Sequence, residues 1–374
     1  MKEFIKANTE SLFRTLRELC AIPAPSHFEQ KRAAYCKAWL ERIGARGVYI
    51  DEAQNVILPI NCEGSDRITV FVAHTDTVFP DREPMPYVED DRYIRSPGVG
   101  DDTASVSVLL HVAKYFLEQG ITPEGGVMFV CNSCEEGLGN LKGTRQLFRD
   151  FEGRIAQFVS IDGSRLHARG DRCVGSHRYE VEVRTEGGHS YSAFGNKNAI
   201  VELARIVSEI YAIQVPVIGN SRTTYNVGGI QGGTSINTIP QSATMLCEYR
   251  SDTVECLAIM QAHFERIFAD ARARGIDLHV SLIGERPCMG PVDPVKMEEL
   301  TERCRAIIEE TASVQVATRA GSTDCNIPLS LGIPAVCISA YNGGGMHTRE
   351  EWLEKDSLPT GLEIGIRIAT ELVG

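Results

Sequence analysis

The sequence predicts an α/β fold: a mixed, mostly parallel sheet with helices on both faces, interrupted by an inserted ferredoxin-like α+β domain. Three observations carry this expectation. Four continuous apolar runs bounded by Gly, Pro or polar residues read as strands covered on both faces. Amphipathic helical segments lie between them. Between about residues 177 and 287 the pattern changes to strict alternation and the order βαββαβ. The expected boundaries are therefore 1–176 and 288–374 for the α/β domain and 177–287 for the insert.

Taken in order, Ser26-His-Phe-Glu29 has the form of a capping box, predicting a helix that ends near Gly44. Ile68-Thr-Val-Phe-Val-Ala73 is the first apolar strand and runs into His74-Thr-Asp76. Thr103 to Gln119 reads as an amphipathic helix stopped by Gly120. Gly126 to Cys131 is a strand leading to Glu135-Glu136, and Ala156 to Ile161 a strand leading to Asp162-Gly163. In the insert, Arg178 to Arg184 alternates as a half-exposed strand, followed by a helix from about Asn198 to Ala212. Strands near Thr223–Ile230 and Ala243–Tyr249, a helix over Thr253–Gly275 and a strand over Ile276–Ile283 complete it. A helix over Pro294–Glu310, a strand over Pro334–Ser339 that leads through Gly343-Gly-Gly-Met to His347, and a helix over Asp356–Leu372 close the chain.

Composition limits the chemistry. A chain of 374 residues has room for two domains and a large core. Its net charge of −12 and lack of a basic block argue against nucleic acid or an anionic membrane as partner. The first residues, Met1-Lys-Glu-Phe-Ile-Lys-Ala-Asn-Thr9, hold no apolar signal core, and no run approaches the ~18–20 apolar residues of a membrane span. The 12 cysteines are scattered through apolar runs, which suits reduced, buried thiols and a cytoplasmic location. Cys131 and Cys134 form one C-x2-C pair with no second pair, so a zinc knuckle is not expected.

The chemistry concentrates where strands end. Ligands at the carboxyl ends of parallel strands meet in one crevice. Alone, the Glu135-Glu136 pair would be ordinary solvated surface. At a strand end, however, neighbouring side chains point different ways, so one carboxylate can bind a metal while the other faces a bound water. Asp76, in His74-x-Asp76, is either the carboxylate that orients a metal-binding imidazole or a turn residue. In Gly98-Val-Gly-Asp-Asp-Thr103, Asp101 reads as a metal bridge, with Asp102 and Thr103 capping the following helix. Two histidines and three carboxylates (His74, Asp101, Glu136, Asp162 and His347) divide between two metals as one histidine and one carboxylate each, with one shared Asp. Two divalent cations against three carboxylates leave about one positive charge, which a bridging hydroxide neutralises. Mixed N/O ligands without thiolate suit zinc, with cobalt or manganese as alternatives.

His74-Thr-Asp76, Gly100-Asp-Asp102, Glu135-Glu136, Ile161-Asp-Gly163 and Met346-His347, in this order, resemble the co-catalytic dizinc peptidase and deacylase family. That family includes peptidase T, glutamate carboxypeptidase, aminoacylase, acetylornithine deacetylase and succinyl-diaminopimelate desuccinylase. The resemblance covers nearly the whole chain. It implies that Asp101 bridges the metals, with a cis peptide bond to Asp102. It implies that Glu135 is the general base and Glu136 a ligand, that His74 and Asp162 share one metal, and that Glu136 and His347 share the other. Asp76 joins Glu135 in the catalytic set. The insert becomes a lid and dimerisation domain. Gly187-Gly-His189-Ser resembles the lid motif whose histidine reaches the partner subunit's active site, which implies a homodimer. Asn237, Arg250 and the loop Gly321-Ser322-Thr323 match substrate-contacting positions.

The implied reaction is hydrolysis of an amide bond in a short peptide through a metal-bridging hydroxide. The bulky Tyr191 and Phe194 make the lid motif closer to peptidase T-like members than to the deacylases. The competing expectations are an N-acyl amino acid deacylase and a catalytically silent metal-binding relative. A two-metal phosphoesterase lacks a phosphate-binding Arg or Lys cluster in the lid.

Overall fold

A computed structural model describes all residues, 1–374. The chain divides into two compact units, Met1–Cys173 with Gly290–Gly374, and Val174–Met289.

The first unit is built on an eight-stranded sheet. Its strands run in the order Tyr49–Ile50, Val56–Ile60, Gly126–Asn132, Ile68–His74, Ile155–Ile161, Ala335–Ile338, Ala168–Cys173 and Ala317–Gly321. The four central neighbours pair in parallel, as their unbroken apolar character predicts. Alternate residues of these strands face opposite layers. Phe71, Ala73, Phe129, Cys131, Val159 and Ile161 join the core built by helices Lys2–Cys20, Ser105–Gln119, Pro294–Ala312 and Ser357–Val373. On the other face, Phe158 meets Phe148 of helix Lys142–Asp150, with ring centroids 5.7 Å apart. Gly120, at φ 62°, ends helix Ser105–Gln119 as its sequence signal indicates.

The second unit follows the order βαββαβ. Its four-stranded antiparallel sheet runs Thr223–Gly232, Ser242–Ser251, Gly175–Arg184, Asp277–Arg286. Helices Ala199–Tyr211 and Val254–Ala273 cover one face, packing Leu203, Ile206, Met260 and Phe264 against Val181, Val183, Met245 and Tyr249. Both helices start at side-chain caps, Asn198 and Thr253.

Two local expectations fail. The capping box at Ser26–Glu29 does not form, and the helix begins at Gln30 with no side-chain cap. Ser26 Oγ instead donates to Asp76 Oδ2 at 2.6 Å, and Glu29 Oε1 accepts from the N–H groups of His27 and Cys134. Nor do Asp102 and Thr103 cap helix Ser105–Gln119. Asp102 Oδ2 accepts from the His74 backbone N–H at 2.9 Å, and Thr103 Oγ donates to the Gly98 carbonyl. In the first place a long-range acceptor, Asp76, takes the serine hydroxyl, and in the second a long-range donor, the His74 N–H, takes the Asp102 carboxylate.

All twelve cysteines are free and buried. No helix is long and apolar enough to cross a membrane.

Candidate metal centre

Four of the five predicted ligands end or follow a strand of the central sheet, and the fifth, Asp101, precedes a helix. His74 ends Ile68–His74 and Asp162 follows Ile155–Ile161. Glu135 and Glu136 occupy the turn after Gly126–Asn132. His347 lies in the loop after Ala335–Ile338 with φ 63°, and Asp101 in the turn Val99–Ala104 that leads into helix Ser105–Gln119. Because those four strands are parallel, the loops that follow them share one edge of the sheet.

Asp101 lies between the two histidines. Its Oδ1 is 3.0 Å from His74 Nε2 and its Oδ2 is 3.0 Å from His347 Nε2. His347 Nε2 is also 3.1 Å from Glu136 Oε1. The peptide bond between Asp101 and Asp102 is cis. Three groups of side chains have donor atoms close enough to hold an ion: His74 with Asp102 and Asp162, His74 with Glu135 and Glu136, and Asp101 with Glu136 and His347. The first group includes Asp102 where the sequence reading has Asp101. Asp102 Oδ2 accepts the backbone N–H of His74, whereas both oxygens of Asp101 face imidazoles.

The charge balance fits cations. Burial and the charge of Asp101 push the Asp162 carboxyl well above its ordinary range, and push Glu136 up to about 7. Burial opposes ionisation of Asp101 as well, but hydrogen bonds from His347 and His74 hold it well below the usual range. Hydrogen bonds to Asp101 and Glu136 raise His347 to about 10. Carboxylates thus crowd one buried place with two imidazoles as their main partners. Divalent cations would relieve that repulsion, and the donor set (imidazole and carboxylate oxygen, no thiolate) matches their chemistry.

Asp76 is an acceptor for the turn that carries the glutamates. Its Oδ1 takes the Glu135 N–H at 2.9 Å and its Oδ2 the Glu136 N–H at 3.0 Å. His74 Nδ1 lies 3.4 Å from Asp76 Oδ1 and 3.1 Å from the Asp76 carbonyl, so one residue faces both the imidazole and the Glu turn.

Several contributors are invisible in the sequence pattern. Glu351, 1% exposed, accepts the N–H groups of Gly98, Gly100 and Asp101. Arg32, 2% exposed, donates to the carbonyls of Ile22 and Thr75 and to Thr103 Oγ. Buried Asp324 accepts from Asn132 Nδ2 at 2.7 Å and from Thr144 Oγ. Burial and the nearby Glu135 charge raise Asp324 to about 6. The doublet Glu350-Glu351, just past His347, was the available signal for Glu351; Arg32 gave none.

The remaining predicted residues are divided between the two units. Gly321 ends strand Ala317–Gly321, Ser322 follows it, and the Thr323 N–H donates to Asn326 Oδ1 at 2.9 Å. Through Asp324 this loop is tied to Asn132, at the start of the Glu135 turn. In the second unit, exposed His189 pairs across a two-stranded ribbon with Thr238, and the Ser190 N–H donates to the Asn237 carbonyl. Arg250 lies at the far end of Ser242–Ser251, opposite Ser176, and holds Glu248 with two bonds of 2.8 and 3.0 Å. Eight strand steps, roughly 27 Å, separate that end from Ser242, whose partner Arg184 leads into the His189 turn.

Known proteins share this architecture. The solved tripeptidase of Staphylococcus aureus matches 98% of this chain and 99% of its own, with 22% identity and a TM-score of 0.76. The aminopeptidase PepT of Bacillus cereus matches with the same coverage, 21% identity and a TM-score of 0.72. Carboxypeptidase G2 of Pseudomonas sp. (strain RS-16) is 24% identical over 333 residues, covering 85% of this chain and 77% of that protein. The model of peptidase family M20/M25/M40 matches residues 70–371, spanning every candidate ligand, and the chain accordingly belongs to that family of amide-bond hydrolases.

Proposed function

We propose that this protein is a dinuclear-metal peptidase of the peptidase T type that hydrolyses short peptides. The observation that carries this reading is Asp101, whose two oxygens each face a different histidine at 3.0 Å. His74 and Asp162 would hold one cation, Glu136 and His347 the other, and Asp101 would be shared. Zinc suits this donor set best, with cobalt or manganese as alternatives. Bound there, the cations would supply Lewis-acid polarisation of the scissile carbonyl and lower the pKa of water.

The chain's own residues supply the proton transfers and the alignment. Glu135, beside Glu136 and buried, takes the proton from the attacking water and returns it to the leaving amine. Asp76 holds Glu135 at its station through the backbone. The partner subunit's His189 donates to the developing oxyanion, a contribution of a few kcal/mol in sites of this kind. Asn237, Arg250, Gly321, Ser322 and Thr323 orient the peptide. Arg250 would exchange part of its bidentate pairing with Glu248 for the substrate carboxylate.

In this reading residues 177–287 are the lid and dimerisation domain, and 1–176 with 288–374 the catalytic domain. The exposed edge strand Thr223–Gly232, with Ile230 56% exposed, supports a two-fold dimer through the lid. The buried, free thiols support a reducing, cytoplasmic setting.

The test is Glu135→Ala. It is expected to bind two metals and to lose most turnover on di- and tripeptides. Hydrolysis near the wild-type rate would remove Glu135 as base. Running the wild type against N-acetyl and N-succinyl amino acids in parallel tests the substrate; faster cleavage of those than of peptides would make the protein a deacylase.

A further inference from the structure

Glu351 belongs to none of the assignments above, yet no other side chain in the centre grips so much of a ligand loop. Its Oε2 accepts the Gly98 N–H at 2.7 Å, and its Oε1 accepts the N–H groups of Gly100 at 3.0 Å and Asp101 at 2.8 Å. One buried carboxylate therefore satisfies three donors in a turn whose φ/ψ are non-helical at Asp101 and Asp102. The same residue continues the His347 loop. Its carbonyl accepts the Ser96 N–H at 3.2 Å, and the strand that follows it, Trp352–Glu354, pairs with Tyr93–Arg95. Glu351 is thus a rigid tie between the loop carrying Asp101 and the loop carrying His347.

The tie has little freedom. Packing fixes the Asp101 turn from the other side too: a side chain at Gly100 would collide with the Tyr341 hydroxyl. Thr103 Oγ, itself an acceptor for Arg32, closes the turn onto the Gly98 carbonyl. Tyr341, six residues before His347, packs on the turn, whereas Glu351, four residues after it, hydrogen-bonds the backbone of the turn. A carboxylate is needed there, because a group offering one acceptor and one donor would set a donor against an N–H.

We propose that Glu351 is a positioning residue that sets the separation of Asp101 and His347, and through it the affinity for the cation those two residues share. The proposal rests on the dinuclear reading above. It acts through the main chain and makes no contact with substrate.

The experiment titrates metal-free wild type, Glu351→Gln, Glu351→Asp and Glu350→Gln with Co2+ alone, following the visible absorption bands, and measures kcat, KM and the melting temperature of each. Gln keeps the acceptor for Gly100 and Asp101 but faces the Gly98 N–H with a donor. The expected result is a folded Glu351→Gln protein in which one Co2+ binds about 10–100-fold more weakly, with altered bands and lower kcat at similar KM. Glu350→Gln, an exposed neighbour, behaves as wild type. If Glu351→Gln does not fold, Glu351→Asp keeps charge and both acceptors at a shorter reach and is expected to show the same loss in weaker form. Wild-type Co2+ affinity and bands in the folded variant, with only a lowered melting temperature, would overturn the proposal and leave Glu351 purely structural. A wild type that takes up fewer than two Co2+ overturns the dinuclear reading itself, a failure recognisable before any variant is compared.

Discussion

Replacing Asp76 by Asn tests how far the centre depends on the carboxylate beneath it. Asp76 accepts from the Glu135 N–H, the Glu136 N–H and Ser26 Oγ, and faces His74 Nδ1. Asn offers one acceptor and one donor. Its least costly orientation keeps the oxygen toward Glu135 and His74 and turns the amide nitrogen toward Glu136 and Ser26. The serine hydroxyl can rotate to accept, but the Glu136 N–H is left without a partner in a buried place. An orphaned buried donor costs about 1–3 kcal/mol. Independently, loss of the carboxylate behind a metal-binding imidazole weakens a metal by about 10–100-fold, which is about 1.4–2.8 kcal/mol. The first cost falls on the fold and the second on the metal, so Asp76→Asn is expected to lower stability and to weaken metal binding by one to two orders of magnitude, with a parallel fall in peptide hydrolysis at limiting metal. Calorimetric titration of the metal-free protein with Zn2+, alongside a tripeptide assay, measures both. Ser26→Ala, which removes one neutral donor, should cost about 0.5–1.5 kcal/mol. Asp76→Asn with wild-type affinity and turnover would refute the claim that this residue holds the Glu turn.

Three further outcomes follow from other parts of the molecule. Arg32→Met keeps the aliphatic stem but strips donors from two buried carbonyls and Thr103 Oγ, so denaturant unfolding should show a loss of about 3–5 kcal/mol; a loss under about 1 kcal/mol contradicts it. Burial lowers His111 to about 4, so the folded state prefers the neutral ring. The stability this gives is complete above the unfolded value near 6.5 and is lost as pH falls toward 4, by roughly 3 kcal/mol; His111→Gln should flatten that slope, and an unchanged slope removes His111 as its source. Mixing the inactive Glu135→Ala and His189→Ala proteins under subunit exchange should restore about one quarter of wild-type activity, since half the dimers are hybrids with one intact site each. No recovery despite proven exchange would mean that His189 does not act across the dimer.

The parts of this fold legible in the sequence are those set by one repeated pattern. Ile68–His74, Gly126–Asn132 and Ile155–Ile161 are apolar throughout because both faces are covered. Strands without such cover escape notice: Ala317–Gly321 (ATRAG), at the sheet edge, and Ala168–Cys173 (ARGDRC), next to it, are polar or small. The four-stranded sheet of Val88–Glu89, Tyr93–Arg95, Gly343–Gly344 and Trp352–Glu354 is too short in each piece to show any period. Helix Lys2–Cys20 did carry a readable signal, with Phe4, Ile5, Leu12, Leu16 and Leu19 on one buried face. The ligands were legible for a different reason. Four of the five follow a readable strand, and strand ends are where a parallel sheet delivers side chains to a common point; Asp101 instead precedes a readable helix.

What the sequence hides is how the ligands are held. The loops that carry them have little secondary structure, so their N–H groups need acceptors from elsewhere. Acidic side chains supply several: Asp76 to Glu135 and Glu136, Glu29 to Cys134, Asp102 to His74, and Glu351 to Gly98, Gly100 and Asp101. None of these pairings follows a local motif, and two defeat one, since Glu29 and Asp102 leave the helix-capping roles their positions suggest. Carboxylates do this better than neutral acceptors because a charge-assisted bond to N–H is stronger and each group can serve several donors. The cost is a second layer of negative charge behind ligands that are already acidic, faced by the buried guanidinium of Arg32 near Asp76 and Asp102. Neutral acceptors at the same places would still receive the N–H groups but leave the field at the centre weaker. The acids that orient the ligands therefore also favour cations, and rigidity and metal affinity arise from the same side chains.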